Sequence, residues 1–222
     1  FQTILSAPGF LYMNEGTGVL DDYALASRLS YFLWSSMPDA ELFNFAEEGK
    51  LANLDVLRKQ VDRMLADPKG KRLSQNFLRL WLELDNMGKM PPSREFVSFY
   101  RDNLESAMRR ETDLFFQHVL EENLHPVELL SADYSFINRE LGEHYGISGL
   151  EGNEFRKVRM EGSERGGILG HGSFLTASAN GVDTSPVVRG IYVMNKLLDY
   201  TPPPPPDDVP EIEPDVTGAT TL

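Results

Sequence analysis

The chain contains no cysteine. That absence removes disulfides, thiolate nucleophiles, zinc–thiolate sites and the Cys-x-x-Cys-His attachment of a covalent haem. It does not decide the compartment, because a reducing cytosol and a disulfide-free periplasmic domain suit it equally. Histidine is scarce as well, with four in 222 residues. His118, His125, His144 and His171 form no pair at the three- or four-residue spacing of a helical metal site, and no His-Glu-x-x-His occurs. Positive charge is short: 21 Lys and Arg against 34 Asp and Glu leave a net charge of -13. Binding phosphates needs clustered cations, so this balance argues against nucleic acid and against an anionic membrane surface. No apolar run approaches the ~18 residues of a membrane span. The chain opens on FQTILSAPGFLYM without an initiator Met or a basic stretch ahead of an apolar one, so no signal peptide is visible. With TGATTL at the other end, both termini read as cut from a longer protein.

What is present is the composition of a globular protein, 41% hydrophobic and 25% charged. Residues 21 to 35 carry two acids at a helix start and apolar groups at Leu25, Leu29, Phe32 and Leu33, the spacing of one buried face. PDAELFNFAEEGK predicts a short helix that starts at Pro38 and Asp39 and stops at Gly49. LDVLRKQVDRMLADP repeats Leu54, Leu57, Val61, Met64 and Leu65 on one stripe and ends before Pro68. GKRLSQNFLRLWLEL follows, with Phe77, Leu80, Trp81 and Leu84 expected inward. The longest helix is predicted from about Ser93 to Glu122, where Phe96, Tyr100, Leu104, Ala107, Met108, Phe115, Val119 and Leu120 hold helical spacing. Val97, Leu114 and Phe116 widen its apolar face, as befits the central pillar of a bundle.

Two further helices are expected, one capped near Ser135 within 131–147 and one near Thr184 within 184–200, the latter with Pro186 in its first turn. Alternation of apolar and polar residues is scarce. The predicted class is therefore all-α, an irregular helical bundle with a long central helix and a smaller loop-rich C-terminal part. The five prolines Pro202 to Pro206 cannot donate backbone hydrogen bonds and should adopt polyproline II, reading with the acidic DDVPEIEPD after them as a stiff spacer. A soft boundary is expected near residues 150 to 160.

The blocks LDDYALASRLSYFLWSSMPDAEL (Leu20 to Leu42), NFLRLWLEL and ADYSFINRELGEHYGI (Ala132 to Ile147), followed by RGGILGHGSFLTASANGVDTSPVVRG from Arg165, carry a family likeness over nearly the whole chain. Together they resemble tandem domains of unknown function found in large exported proteins of planctomycetes that also carry c-type cytochrome domains. The resemblance implies three segments: 1–155 as the first domain, 156–206 as the second, and 207–222 as an acidic linker. It also implies an exported setting, periplasmic or at the cell surface. Haem c would then belong to another domain of the same polypeptide, because this chain has no cysteine to attach it. The partners implied are those other domains, a cytochrome c domain among them, with polysaccharide as an alternative. No catalytic residues come with the family. The function expected is an internal scaffold or interaction module supporting electron transfer; the alternatives are a carbohydrate-binding or polysaccharide-processing domain and a non-covalent haem-binding module.

The candidate residues stand on their own chemistry. Asp183, Thr184 and Ser185 sit at a helix start, where their oxygens can cap unpaired N–H groups. Arg189, roughly a turn further on, can pair with Asp183 or another carboxylate. The functional alternative is an anion site for a sugar acid, sulfate or haem propionate, built from that helix start and Arg189. His171 lies between Gly170 and Gly172, which should leave its ring accessible as a general base or an axial haem ligand. His144, near a helix end, is the second haem-ligand candidate; its plain reading is an interaction with the negative end of the dipole. His118 and His125 read as surface or capping groups. Gly166, Gly167, Gly170 and Gly172 lack the phosphate-loop pattern and suggest close packing against the first block. Ser173 and Ser185 lack the Gly-x-Ser-x-Gly elbow of a serine hydrolase. The acidic pairs at 21–22, 121–122 and 207–208 read as solvated faces and caps, and Trp34, Trp81, Phe115 and Phe116 as core.

Overall fold

A computed structural model of the chain describes residues 2–8, 18–87, 102–160, 163, 165–179 and 186–203. The backbone divides into two compact units, Phe1–Leu73 and Ser74–Leu222.

The first unit holds α1 (Gln2–Leu5), α2 (Asp22–Trp34), α3 (Ala40–Glu47), α4 (Leu54–Ala66), a 3-10 turn at Pro68–Gly70 and the start of α5 (Lys71–Trp81). Side-chain caps set the helix starts: Asp21 accepts from the Ala24 amide at 2.7 Å, Asp39 from Leu42 at 2.9 Å and Asn53 from Asp55 at 2.9 Å. Gly49 follows α3 with φ 65°, the left-handed turn its sequence position calls for. The expected faces need correction. Leu33 and Met64 are buried as expected, but Phe32 is 59% exposed and Leu54 66%, and the other buried residues are Ala26, Ser30 and Trp34 of α2 and Gln60 of α4. The reason is Trp34, whose indole Nε1 donates to the Met64 carbonyl at 2.8 Å and so turns both helices about that contact. Arg63 and Lys69 lie 5.5 and 4.6 Å from the Trp34 ring centre.

The second unit holds the rest of α5, a 3-10 turn at Leu84–Asn86, α6 (Asp102–Glu121), α7 (Glu128–Ser131), β1 (Tyr134–Ile137), α8 (Arg139–Tyr145), β2 (Arg156–Arg159), a 3-10 turn at Ile168–Gly170, α9 (Gly172–Ala177) and α10 (Pro186–Leu197). The class is therefore mainly α rather than all-α. β1 and β2 pair antiparallel, Tyr134 opposite Arg159 and Ile137 opposite Arg156. The helix expected near Ser135 is strand at that point and begins only at Arg139, after Asn138 caps the Leu141 amide at 3.1 Å. The sheet partner lies about twenty residues downstream, out of reach of a local reading.

α6 is the central helix that the apolar stripe predicted: Leu104, Ala107, Met108, Phe115 and Val119 are buried. It packs against β1, α8 and α9, and its stripe enters a core with Leu78, Leu82, Leu141, Ile168 and Phe174. Of the residues expected inward Leu84, just past α5, is buried, but Leu80 is 66% and Phe77 36% exposed, and Leu78 of α5 and Leu82 after it are buried in their place, a rotation from the expected face. Trp81 explains the rotation by donating its Nε1–H to the Lys196 carbonyl of α10 at 2.6 Å. Tyr192 of α10 donates in turn to the Leu82 carbonyl. The portions of the expected long helix at 93–101 and of the last helix at 184–185 lie outside the described residues, as does most of the proline run.

Candidate functional site

The polar core of the second unit gathers around His171. Far from being accessible, its ring is 2% exposed. Phe115 meets it edge-on, with ring centres 4.9 Å apart. The flanking glycines explain the correction: they admit neighbouring groups to the ring rather than solvent. A Cβ on Gly172 would stand 2.9 Å from Met108 and from the Tyr145 hydroxyl, and one on Gly167, at φ 55°, would stand 2.6 Å from the Leu130 backbone. The glycine-rich segment thus lies directly on α6, α7 and α8.

Both ring nitrogens face hydroxyls. Nδ1 is 3.1 Å from Thr112 Oγ1, and Nε2 is 3.4 Å from Ser135 Oγ. Thr112 Oγ1 also meets Ser173 Oγ at 2.5 Å. Ser135 donates to Glu111 Oε1 at 2.6 Å, Tyr145 donates to Glu111 Oε2 at 2.5 Å, and the Gly172 amide donates to the Tyr145 hydroxyl at 2.8 Å. Glu111, Thr112, Ser135 and Ser173 are buried. The network draws on α6, β1, α8 and the start of α9.

Burial holds the His171 imidazolium in disfavour and lowers its pKa; Glu111 acts in the other direction and Arg165 adds to the lowering. Burial likewise raises Tyr145, assisted by Glu111. Arg165 stacks its guanidinium 4.1 Å from the Tyr145 ring centre and donates to the Gly170 carbonyl at 2.8 Å. Beside this cluster lies a cavity of about 10 Å³, bordered by Glu111, Tyr134, Ser135, Arg165, Gly166 and His171. It has room for one water molecule.

The order of bonds decides what this chemistry can do. In a nucleophilic triad the imidazole stands between the hydroxyl and the carboxyl and takes the hydroxyl proton. Here Ser135 stands between His171 and Glu111 and gives its proton to the carboxyl, so the imidazole is not placed as its base. The arrangement ties the chain together.

The other candidates fall elsewhere. Arg189 points to the end of α9, with Nε 3.3 Å from Ser178 Oγ and Nη2 3.5 Å from the Leu175 carbonyl. Its pairing with Asp183, and the caps expected of Asp183, Thr184 and Ser185, lie outside the described residues. His144 occupies the last turn of α8, where burial first, and Arg165 second, lower its pKa. His118 accepts from Lys157 at 2.8 Å, and His125 Nδ1 caps the Val127 amide at 3.2 Å. Among the described residues, no cluster of His, Asp and Glu is arranged to hold a metal ion. No helix among them is long and apolar enough to cross a membrane.

Sequence reading missed Glu111, Thr112, Ser135, Tyr145 and Arg165. A signal existed for the first two. Residues 104, 107, 108, 111, 112, 115 and 119 share one helical face, so Glu111 and Thr112 are polar intrusions in an apolar stripe. Buried polar groups need partners, and the pair should have been read as one half of a network.

The fold is mainly α-helical, and among the described residues His171, Thr112, Ser135, Glu111 and Ser173 form one buried, hydrogen-bonded polar cluster. The chain belongs to the family described as PSD4, protein of unknown function (DUF1592), whose model matches residues 20–147. Residues 165–222 match a second family, PSCyt3, protein of unknown function (DUF1588). No curated protein and no solved structure matches the chain significantly. The His171 network crosses between the two matches: Glu111, Thr112, Ser135 and Tyr145 come from the first, and His171, Gly172 and Ser173 from the second.

Proposed function

We propose that this chain is an internal scaffold and interaction module of a larger, exported, cytochrome-linked protein, supporting electron transfer by presenting a docking face to a haem domain rather than by holding haem. The observation that carries the reading is the burial of His171 with both ring nitrogens engaged by hydroxyls. An axial ligand needs a free nitrogen facing a haem-sized space, and the neighbouring cavity fits a single water. The family name PSCyt3 supports the cytochrome association. The net charge of -13 suits a basic partner surface, since opposite fields steer two proteins together.

The test is an absorbance titration of the purified chain with hemin, set beside calorimetric titration with a basic c-type cytochrome. The reading expects no Soret shift on adding hemin, and a salt-sensitive binding isotherm with the cytochrome. A Soret shift abolished by His171→Ala or His144→Ala would make the chain a haem carrier and overturn it.

A further inference from the structure

The surroundings of His171 dictate where its proton sits. Ser135 spends its hydroxyl proton on Glu111, so its oxygen is free only to accept from His171 Nε2. A neutral imidazole protonated at Nε2 leaves Nδ1 as an acceptor, and Thr112 is the donor within reach. Ser173 then donates to Thr112. The bonds run one way, from Ser173 through Thr112, His171 and Ser135 to Glu111.

Thr112 has a second acceptor, the Met108 carbonyl one turn back on α6, at 3.3 Å. A proton arriving at Nδ1 turns that nitrogen into a donor, and the Thr112 hydroxyl must then swing to Met108. One hydroxyl with two acceptors therefore registers the charge on the ring. A cavity the size of one water molecule lies at the opposite edge, bordered by His171, Ser135 and Glu111.

We propose that His171 is a proton-operated latch on the glycine-rich segment 166–177, closed while the ring is neutral and loosened when it takes up a proton. The proposal goes beyond the scaffold reading and stands whatever partner docks. The groups facing the ring are Glu111 and Phe115 from α6, Tyr134 and Ser135 from β1, Tyr145 of α8 through Glu111, and Arg165 immediately ahead of the segment. Glu111 favours the proton, while burial and Arg165 oppose it, and burial is the largest influence. In the opened segment the ring meets water and regains its ordinary affinity. The opened form therefore binds the proton more tightly, and acid shifts the population towards it. Two amides report the opening: Gly167, bonded to the Ala132 carbonyl at 3.0 Å, and Gly172, bonded to Tyr145 at 2.8 Å.

The experiment is hydrogen exchange of Gly167 and Gly172 in the full chain between about pH 7.5 and 5, each rate divided by its intrinsic value, in the native protein and in His171→Gln. Glutamine keeps a donor and an acceptor there but does not titrate. The expected result is an opening equilibrium that grows by up to about tenfold per pH unit below the ordinary imidazole range near 6.5, the limit for one proton, and a flat profile in His171→Gln. The same slope in both proteins, or no slope in the native chain, overturns the proposal. Should His171→Gln fail to fold, the imidazole resonances of the native chain decide. A ring that gains its proton in step with amide opening supports the latch, and a ring that stays neutral while the amides open refutes it.

Discussion

Thr112 and His171, 59 residues apart in the chain, meet at 3.1 Å through a hydroxyl and a ring nitrogen, and with that contact the DUF1588 match is fastened to the central helix of the DUF1592 match. Neither residue is exposed to water, so whatever one loses the other cannot recover from solvent.

Thr112→Val keeps the shape of the side chain and removes its hydroxyl. His171 Nδ1 and Ser173 Oγ both lose a partner inside the core. The expected loss is about 1–3 kcal/mol, the cost of leaving a buried polar group unsatisfied. Urea unfolding should show a lower midpoint with an unchanged slope.

Glu111→Gln tests the direction of the bonds. Ser135 and Tyr145 both donate into Glu111, and Tyr145 cannot reverse while it accepts from the Gly172 amide. A glutamine offers one acceptor oxygen and one amino group, so one hydroxyl must face a donor. Destabilisation of about 1–3 kcal/mol is expected despite near-identical size. A variant as stable as the native chain would show that the hydroxyls point elsewhere.

Two glycines should respond with opposite signs. At Gly167 a methyl group would run into the Leu130 backbone from a left-handed φ of 55°, so Gly167→Ala is expected to cost more than the ~1–2 kcal/mol of the backbone conformation alone. Gly190 lies inside α10 with nothing within 4 Å of a would-be Cβ. Gly190→Ala should stabilise the chain by about 0.5–1 kcal/mol. Thermal unfolding of both variants checks the pair.

In the first unit, Asp39 caps α3 and holds Arg63 through two hydrogen bonds, at 2.7 and 3.2 Å. Burial pushes its pKa upward, but the Arg63 contact, the Leu42 amide and the nearby cations outweigh that and lower it below the ordinary 3.8. The folded chain therefore releases this proton more readily than the unfolded one. The stabilisation is fully present above about pH 3.8 and is lost as pH falls through the lower folded value. Asp39→Ala should cost about 1–2 kcal/mol at pH 7, and the gap to the native chain should close under acid. Denaturant titrations at pH 7 and pH 2.5 measure both ends.

Much of the helical skeleton was legible because its signals are local. Asp39 opens α3 and Gly49 ends it within a dozen residues, and the apolar stripe of α6 repeats often enough to survive any single exception. Facing was less legible. Phe32, Leu54 and Leu80 satisfy the periodicity yet point outward, because Trp34 and Trp81 anchor their helices through indole hydrogen bonds to carbonyls 30 and 115 residues away. His171 looked accessible between two glycines for a similar reason: the atoms that bury it, on Phe115, Thr112 and Ser135, come from parts of the chain that only folding brings near.

The sequence by itself determined that no cysteine chemistry is open to the chain, since a missing residue needs no coordinates, and it determined the start and stop of helices such as α3, since caps and periodicity act within one or two turns. The tertiary structure alone decided that Tyr134–Ile137 is a strand and that Glu111, Ser135 and His171 form one chain of hydrogen bonds. Strand pairing and buried polar networks join residues tens of positions apart, and nothing in the local pattern of either partner specifies the other.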